Sequence, residues 1–308
     1  MLGEVELEIL ATVERGDTVS DLAAELDHSD SYVSRAVADL SEKGLIYTER
    51  DGRWKRVDVS NARAIEIYQD LVRQHSHIGF AELLTGKTLE VLYYFDEPAT
   101  VTELAAASDN YRNTVNRIMK RLRDRGLVGV DDGQYDYNGD FDQLHEFARE
   151  LVHHLHRQQL IALAPSGTIL WESYDEFLVQ ADSEIEVDHF HETGLARFAA
   201  FDLQFLLTSH RYYFYSEHID AVTPADLCCH TLLIDDDTRY RTYCLLLLSH
   251  TDVDEESLRE KAAKYGVVDT VEALLQYLDT AGEVANVRLP AWSEFQETAA
   301  DYEVQLPT

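Results

Sequence analysis

Apolar side chains recur at helical spacing along the first 60 residues. Val33, Val37 and Leu40 fall at i, i+4 and i+7, so they share one face of a predicted helix. Gly44 follows this helix where a left-handed backbone is favoured, and an Asp-Gly pair then separates two short β-prone runs. The pattern predicts helices at about 4–15 and 19–26, a third helix that begins at Ser29 or Asp30, and a hairpin with strands at 46–48 and 53–59.

The same pattern occurs a second time, 82 residues further along the chain. Residues 8–46 align without a gap on residues 90–128, and 13 of the 39 positions are identical. Most of the identities are apolar or glycine, as expected when two segments share one core. We call these segments, each with the hairpin that follows it, copy one and copy two. In copy two, the pattern predicts a third helix at 111–125 and a hairpin with strands at 128–130 and 134–137.

Three helices followed by a hairpin are the elements of a winged helix-turn-helix. The segment TVSDLAAELDHSDSYVSRAVADLSEKGLI, residues 18–46, resembles the MarR/ArsR-like regulators of bacteria and archaea. The matching pattern is S/T-x-x-x-L-A, then S-x-x-T/Y-V-S/T-R, then L-x-x-K/R-G-L. This resemblance implies a regulator that binds double-stranded DNA as a homodimer. Winged helices also serve as docking domains, so an adaptor that binds another protein is the alternative.

The C-terminal half mixes predicted strands and helices. We expect strands at 168–171, 177–179, 211–215, 229–234 and 242–248, with an acidic turn at 235–237 between the last two. We expect helices at 194–207, 255–265 and 270–278. The arrangement distantly resembles the C-terminal part of AbiEi-type antitoxin regulators, which implies autorepression and a nucleotidyltransferase-like partner.

The predicted fold class is mainly α with α+β: tandem winged helix-turn-helix domains followed by a mixed α+β C-terminal domain. The expected boundaries are 1–60 for the first winged helix, 61–85 for a linker helix, 86–139 for the second winged helix, 140–166 for a connecting helix and 167–308 for an acidic effector or dimerisation domain.

Charge changes the picture of this 308-residue chain. It has 58 acidic and 26 basic residues, a net charge of −32, and only six of the basic residues are lysine. Such a composition resembles that of proteins from extreme halophiles, where about 1 M salt shortens the Debye length to roughly 3 Å and screens self-repulsion. Residues 1–130 carry a net −7 and residues 131–308 a net −25. The two parts therefore have different electrostatic environments.

The basic residues that remain are concentrated in the third helix of copy two. Residues 110–126 carry a net charge of +5. A recognition helix places side chains on base edges and phosphates, and Arg and Asn can pair with guanine and adenine in a bidentate way. The candidate DNA-binding residues of this helix are Arg112, Asn113, Asn116, Arg117, Lys120 and Arg121.

Copy one has a less basic third helix but a basic hairpin, or wing. A basic wing can lie on phosphates or reach the minor groove. The wing of copy two is acidic instead and would repel phosphate. The candidate residues of copy one are Tyr32, Ser34 and Arg35 in the helix and Arg53, Lys55 and Arg56 in the wing.

Other chemistry is weakly supported. The chain has no glycine-rich phosphate loop and no nucleophile elbow, so we do not expect an enzyme. Buried thiols at Cys228, Cys229 and Cys244 are favoured over a metal or redox sensor, and we expect no metal or other cofactor. A small-molecule effector or a protein partner of the C-terminal domain stays open. No apolar run of ~18 residues and no signal peptide are present, so we expect a cytoplasmic protein without a membrane segment.

Overall fold

The computed structural model describes residues 2–51, 54–205, 210–283 and 288–306. It divides into two compact units, Met1–Gln159 and Leu160–Thr308. We call them unit 1 and unit 2 and describe each by itself. Unit 1 contains both copies of the repeat, and unit 2 contains the α+β part.

Copy one folds as three helices and a small antiparallel sheet. Thr18 caps the second helix by accepting from the backbone N–H of Asp21, whose carboxylate accepts from Thr18 in return. The sheet order is β1-β3-β2. The elements are α1 Glu4–Thr12, β1 Asp17–Thr18, α2 Val19–Glu25, α3 Asp30–Glu42, β2 Ile46–Asp51 and β3 Trp54–Val59.

Two helices, α4 Arg63–Gln74 and α5 Phe80–Leu83, occupy most of the segment predicted as a single linker helix. The first ends at His75, whose backbone leaves the helical region, and Gly79 precedes the second. The apolar face of α4 is buried, with Tyr68 stacked on Phe147 at 5.1 Å between ring centroids. This packing makes the linker part of the core of unit 1.

Copy two repeats the topology of copy one, with sheet order β4-β6-β5. Helices α7 and α8 begin and end 82 residues after α2 and α3. Asp27 and Asp109, at equivalent positions, both have a positive φ, 54° and 46°. The internal repeat is therefore also a repeat of backbone structure. The elements are α6 Thr88–Tyr93, β4 Ala99–Thr100, α7 Val101–Ala107, α8 Arg112–Asp124, β5 Val128–Asp131 and β6 Gln134–Tyr137.

A long helix, α9 Gln143–Leu163, follows copy two after a 3₁₀ turn. His154 Nε2 lies 3.0 Å from the backbone carbonyl of Lys43, at the end of α3. Burial lowers the pKa of His154, so the imidazole is neutral near pH 7. α9 thus fills hydrogen-bonding positions that the last turn of α3 leaves open.

Unit 2 begins with an antiparallel sheet of order β7-β8-β10-β9. The segment predicted as a helix at 194–207 is a 3₁₀ helix over Gly194–Phe201, which ends at Asp202 with a left-handed backbone. Residues 206 and 207 of that prediction lie outside the described residues. The strands are β7 Thr168–Glu172, β8 Phe177–Ala181, β9 Phe190–Thr193 and β10 Arg211–Tyr215.

Five helices complete the described part of unit 2, and two of them correct the sequence prediction. The strands expected at 229–234 and 242–248 are wrong, because both segments are helical and the acidic turn joins helices. Their apolar runs are buried on nearly every side, so neither shows a helical period. Thr223 and Pro224 begin the first helix and Asp237 caps the second. The helices are α10 Pro224–Ile234, α11 Thr238–His250, α12 Glu255–Tyr265, α13 Val268–Asp279 and α14 Trp292–Asp301.

The fold class is confirmed: winged-helix elements occur twice in unit 1, and unit 2 is mixed α+β. The core of unit 2 lies between β8 and β10 of the sheet and helices α10 to α14.

Candidate nucleic-acid interface

The best candidate surface is the outward side of α8. Val115, Ile118, Met119 and Leu122 are buried and fix the inward side of the helix. The remaining positions therefore point to solvent, because they lie on the opposite half of a 3.6-residue turn. Arg123 and Asp124, in the last turn, are exposed as well. We call the six exposed DNA-binding candidates the α8 face: Arg112, Asn113, Asn116, Arg117, Lys120 and Arg121.

Most side chains of the α8 face make no ion pair or hydrogen bond within the described part of the protein. Among the described residues, Arg112, Arg117 and Lys120 make no ion pair and no hydrogen bond, nor do the amides of Asn113 and Asn116. Acidic residues outnumber basic ones more than twofold in this chain. A cation without an acidic partner is therefore unexpected, and three of them on one helix form a surface of uncompensated charge.

The positions of the unpaired Lys and Arg side chains also point to the third helices and the copy-one wing. Within the described ranges, the Lys and Arg side chains without an ion pair, hydrogen bond or cation–π contact are Arg15, Arg35, Arg50, Lys55, Arg112, Arg117 and Lys120. All except Arg15 lie on a third helix or on the wing of copy one. The structure thus leaves its free cations on the surfaces by which a winged helix can contact DNA.

Arg121 differs from the other members of the α8 face. Its guanidinium donates to the backbone carbonyls of Glu82, at 3.0 Å, and Leu83, at 3.3 Å. These groups belong to the last turn of α5, where carbonyls lack helical partners. Arg121 therefore fastens α8 to α5, and a phosphate contact by this residue would compete with that role.

The turn before α8 is held by side-chain hydrogen bonds. Asn110 Nδ2 donates to Glu90 Oε1 on α6 at 2.9 Å and to the carbonyl of Ser108 at 2.7 Å. Copy one has the equivalent contact between His28 Nε2 and Glu8 Oε2, at 3.3 Å. These contacts fix the first turn of each third helix against the first helix of its copy.

Tyr111, the N-cap residue of α8, was not among the sequence candidates. Its side chain is 88% exposed, beside Arg112 and Asn113. An aromatic ring at the first turn of a recognition helix can contact a thymine methyl group. The one signal in the sequence was an aromatic residue at the start of a polar helix face.

The outward side of α3 in copy one is different. Tyr32, Ser34 and Arg35 are all exposed, as predicted, with Tyr32 48% accessible. Yet α3 carries a net charge of −2, whereas α8 carries +4. Asp30 and Asp39 occupy the positions that Arg112 and Arg121 hold in copy two. The structure therefore offers phosphate a far less favourable helix in copy one.

The wing of copy one presents cations from two paired strands. Lys55 and Arg56 are exposed, and Arg50 lies opposite Lys55 in the hairpin. Arg56 Nη1 also donates to the carbonyl of Gly16 at 3.3 Å, which holds part of its guanidinium inside the fold. Arg53 lies outside the described residues. The wing of copy two exposes Asp131, Asp132 and Asp136.

The cysteines lie in the core of unit 2 rather than at a reactive surface. All three are fully buried, on α10 and α11 and not on strands as predicted. Burial raises the pKa of Cys229, and both the neighbouring Cys244 and burial raise the pKa of Cys228. The thiols of Cys228 and Cys229 are therefore protonated, and all three thiols are shielded from solvent, which disfavours the thiolate that redox sensing needs.

The described residues show neither a metal-binding cluster nor a membrane-spanning helix. No group of three or more His, Cys, Asp or Glu side chains there is placed to hold a metal ion. None of the helices in the described part combines the length and apolarity needed to cross a membrane.

Comparison with protein families gives two matches. Residues 5–56 match the model MarR_2, described as the MarR family. The match runs from α1 into β3, the second strand of the copy-one wing. Residues 187–304 match the model HVO_2833_C, described as a C-terminal domain. The first match confirms the resemblance to MarR-like winged-helix regulators. Curated proteins and solved structures showed no match to this chain.

Proposed function

We propose that this chain is a sequence-specific, DNA-binding transcription regulator that reads double-stranded DNA through α8. The observation that carries the proposal is the set of free cations on α8, next to two unpaired asparagines. In this arrangement Arg117 and Asn116 contact base edges in the major groove, while Arg112 and Lys120 lie on phosphates. The match of copy one to the MarR family supports the same class of function.

Electrostatics favours α8 over every other helix as the DNA contact. In molar salt the net charge of −32 is screened beyond a few Å, so the charges that directly contact the duplex decide, and those of α8 are net positive. Molar salt removes most of the attraction from counterion release, which makes phosphate contacts weak. Base contacts and a second half-site in a homodimer then supply the affinity, and the expected operator is a palindrome.

We place this regulator in a haloarchaeal cytoplasm, without a catalytic step or cofactor. The acidic, lysine-poor composition supports that origin. The C-terminal family, which has a haloarchaeal-type name, supports it as well. In this proposal the winged helices occupy residues 1–60 and 86–139, joined by the linker at 61–85. The wing of copy one, with Arg53, Lys55 and Arg56, lies on phosphates beside the site read by α8.

The test is chromatin immunoprecipitation of the tagged protein from its high-salt host, followed by sequencing. We expect sharp peaks that share a palindromic motif for the wild type and no peaks for the triple variant Arg112→Ala/Arg117→Ala/Lys120→Ala. Arg73→Ala is the control, because it removes an exposed cation of unit 1 on α4, which belongs to neither a third helix nor a wing. Its peaks should equal those of the wild type.

Binding to the recovered motif in vitro then separates phosphate from base contacts. Log K falls as log salt rises, and each lost phosphate contact should make this negative slope shallower by about 0.9. A flat immunoprecipitation profile from folded protein contradicts the proposal. Peaks that persist in the triple variant contradict the assignment to α8.

One observation favours a second function, that of a protein-binding adaptor or antitoxin. The outward side of α3 exposes Tyr32 beside Ser31, Ser34 and Ala38, and tyrosines are enriched in protein interfaces. In this case the partner is a protein, and autorepression is secondary. A stoichiometric partner that co-purifies in native salt and is lost in Tyr32→Glu would support the adaptor. No such partner, together with a sharp operator motif, would contradict it.

A further inference from the structure

Unit 2 contains a cleft that the proposed DNA contact does not use. It has a volume of about 580 Å³ and lies where α11 ends, α12 begins and α13 ends. Small-molecule pockets commonly measure roughly 300–1,000 Å³. The cleft therefore has the size of a site for a small organic ligand.

The floor of the cleft is apolar. Leu258 is fully buried and Leu275 is 8% exposed, and Leu278 packs against the same core. Leu248, Val253 and Leu306 add further apolar surface. Burying a ligand's hydrocarbon against these side chains gains roughly 25 cal/mol per Å² of apolar area.

Three polar side chains in the lining have no partner within the described residues: those of Ser249, Asp279 and Gln305. The hydroxyl of Ser249 is buried without a hydrogen bond, which is costly for a polar atom shielded from water. The carboxylate of Asp279 is exposed and makes no ion pair. Glu255, by contrast, lines the same cleft but pairs with Arg259 at 3.0 Å.

The position of Asp279 is electrostatically unfavourable in the empty protein. It is the last residue of α13, where the aligned peptide dipoles already place partial negative charge. α11 also ends beside the cleft, so two helix C-termini and a free carboxylate meet there. α12 begins at the cleft as well, and the carboxylates of Asp254, Glu255 and Glu256 balance the partial positive charge of its N-terminus. A bound cation would compensate all three, and the last turn of α13 contains no basic residue that could do so.

We propose that this cleft binds a small organic cation with an apolar body, such as an alkylammonium or arylammonium compound. The apolar body lies on the leucines, and the ammonium group lies at Asp279 and donates to Ser249 Oγ. This inference goes beyond the proposed function and does not depend on DNA binding.

Calorimetric titration of the full chain with octylammonium and nonanoate tests the charge preference. Both probes have an eight-carbon alkyl chain, and both are used below their micelle concentrations in one high-KCl buffer. We expect saturable, one-to-one binding of octylammonium that is about tenfold tighter or more than that of nonanoate. Equal affinities, or no saturable binding, would overturn the proposal.

Three variants locate the site. Asp279→Asn should abolish the preference for octylammonium, and Ser249→Ala should weaken its binding severalfold. Val253→Trp should block the cleft and remove binding of both probes.

The matched control is Asp269→Asn, which removes one exposed carboxylate at the other end of α13 and should change nothing. A similar loss in Asp269→Asn and Asp279→Asn would mean general attraction to an acidic protein and would overturn the assignment. Asp279→Asn relieves an unfavourable charge, so it should fold even if Val253→Trp does not.

Discussion

His230 shows how strongly the interior of unit 2 constrains a single side chain. The imidazole is fully buried, with Nδ1 3.0 Å from Thr193 Oγ1 and Nε2 without a partner in the described part of the chain. Its ring lies 4.3 Å from that of Phe214, between centroids. Desolvation lowers the pKa of His230 to about 3, so the side chain is neutral throughout the physiological range.

This depressed pKa predicts an acid-sensitive unit 2. The unfolded chain takes up a proton on His230 below its ordinary pKa of about 6.5, whereas the folded chain does not until about pH 3. Stability from this group is therefore present above pH 6.5 and is lost as pH falls, by about 2 kcal/mol at pH 5. Denaturant unfolding at pH 7 and pH 5 should show this loss.

The His230→Phe variant supplies the comparison. It should show a smaller loss between these pH values, although His154 contributes in the same direction. Identical pH slopes in the wild type and in His230→Phe would contradict the prediction.

A pair of equivalent arginines tests which copy reads DNA. Arg35 and Arg117 occupy the same position in α3 and α8, and both are exposed. We expect Arg117→Ala to weaken specific binding by about 1–3 kcal/mol and to relax the preference at one base pair. Arg35→Ala should have a much smaller effect, because α3 is net negative. Binding titrations on the operator and on single-base variants measure both quantities, and the reverse order would assign base reading to copy one.

At the scale of elements, each third helix is followed, two residues after its last residue, by a glycine with a left-handed backbone. Gly44 has φ +68° and Gly126 has φ +76°. A Cβ atom at Gly44 would approach the side chain of Gln158 on α9 to 2.7 Å, whereas one at Gly126 would meet nothing within 4 Å. The two copies therefore end their third helices alike but in different surroundings.

This contrast predicts unequal costs for the same substitution. Gly126→Ala should destabilise by about 1 kcal/mol from backbone strain alone. Gly44→Ala should cost roughly 0.5–1.5 kcal/mol more, because Gln158 must leave its rotamer. Adding Gln158→Ala should remove that excess. Denaturant unfolding of these variants measures the difference, and equal costs for Gly44→Ala and Gly126→Ala would show that Gln158 moves freely.

At the scale of the whole molecule, the net charge of −32 predicts stabilisation by salt. Raising KCl from 0.1 M to 2 M shortens the Debye length from about 10 Å to below about 3 Å and so weakens self-repulsion. The midpoint of thermal unfolding should rise accordingly. A variant with five exposed carboxylates of unit 2 amidated should show a smaller rise: Asp252, Glu256, Glu260, Asp269 and Glu297. A midpoint that stays constant or falls with KCl would contradict the prediction.

The helices and hairpins of unit 1 follow from local signals. Caps such as Thr18 and Thr100, glycines such as Gly44, and apolar residues at helical spacing act within a few residues of one another. Because these signals recur after 82 residues, both copies could be predicted within a few residues of their observed bounds. The basic character of α8 is likewise readable, since it depends only on composition.

The properties that depend on contacts between residues distant in the chain were decided only by the tertiary structure. The apolar runs of α10 and α11 fit a buried strand or a buried helix equally well until their neighbours are placed. Arg121 and Lys120 are alike in the sequence, yet only Arg121 meets the carbonyls at the end of α5. The sequence alone therefore identifies the elements and the charge of the DNA-facing helix. Which cations are free and where a cleft opens depend on packing, because each is set by groups that only the fold brings together.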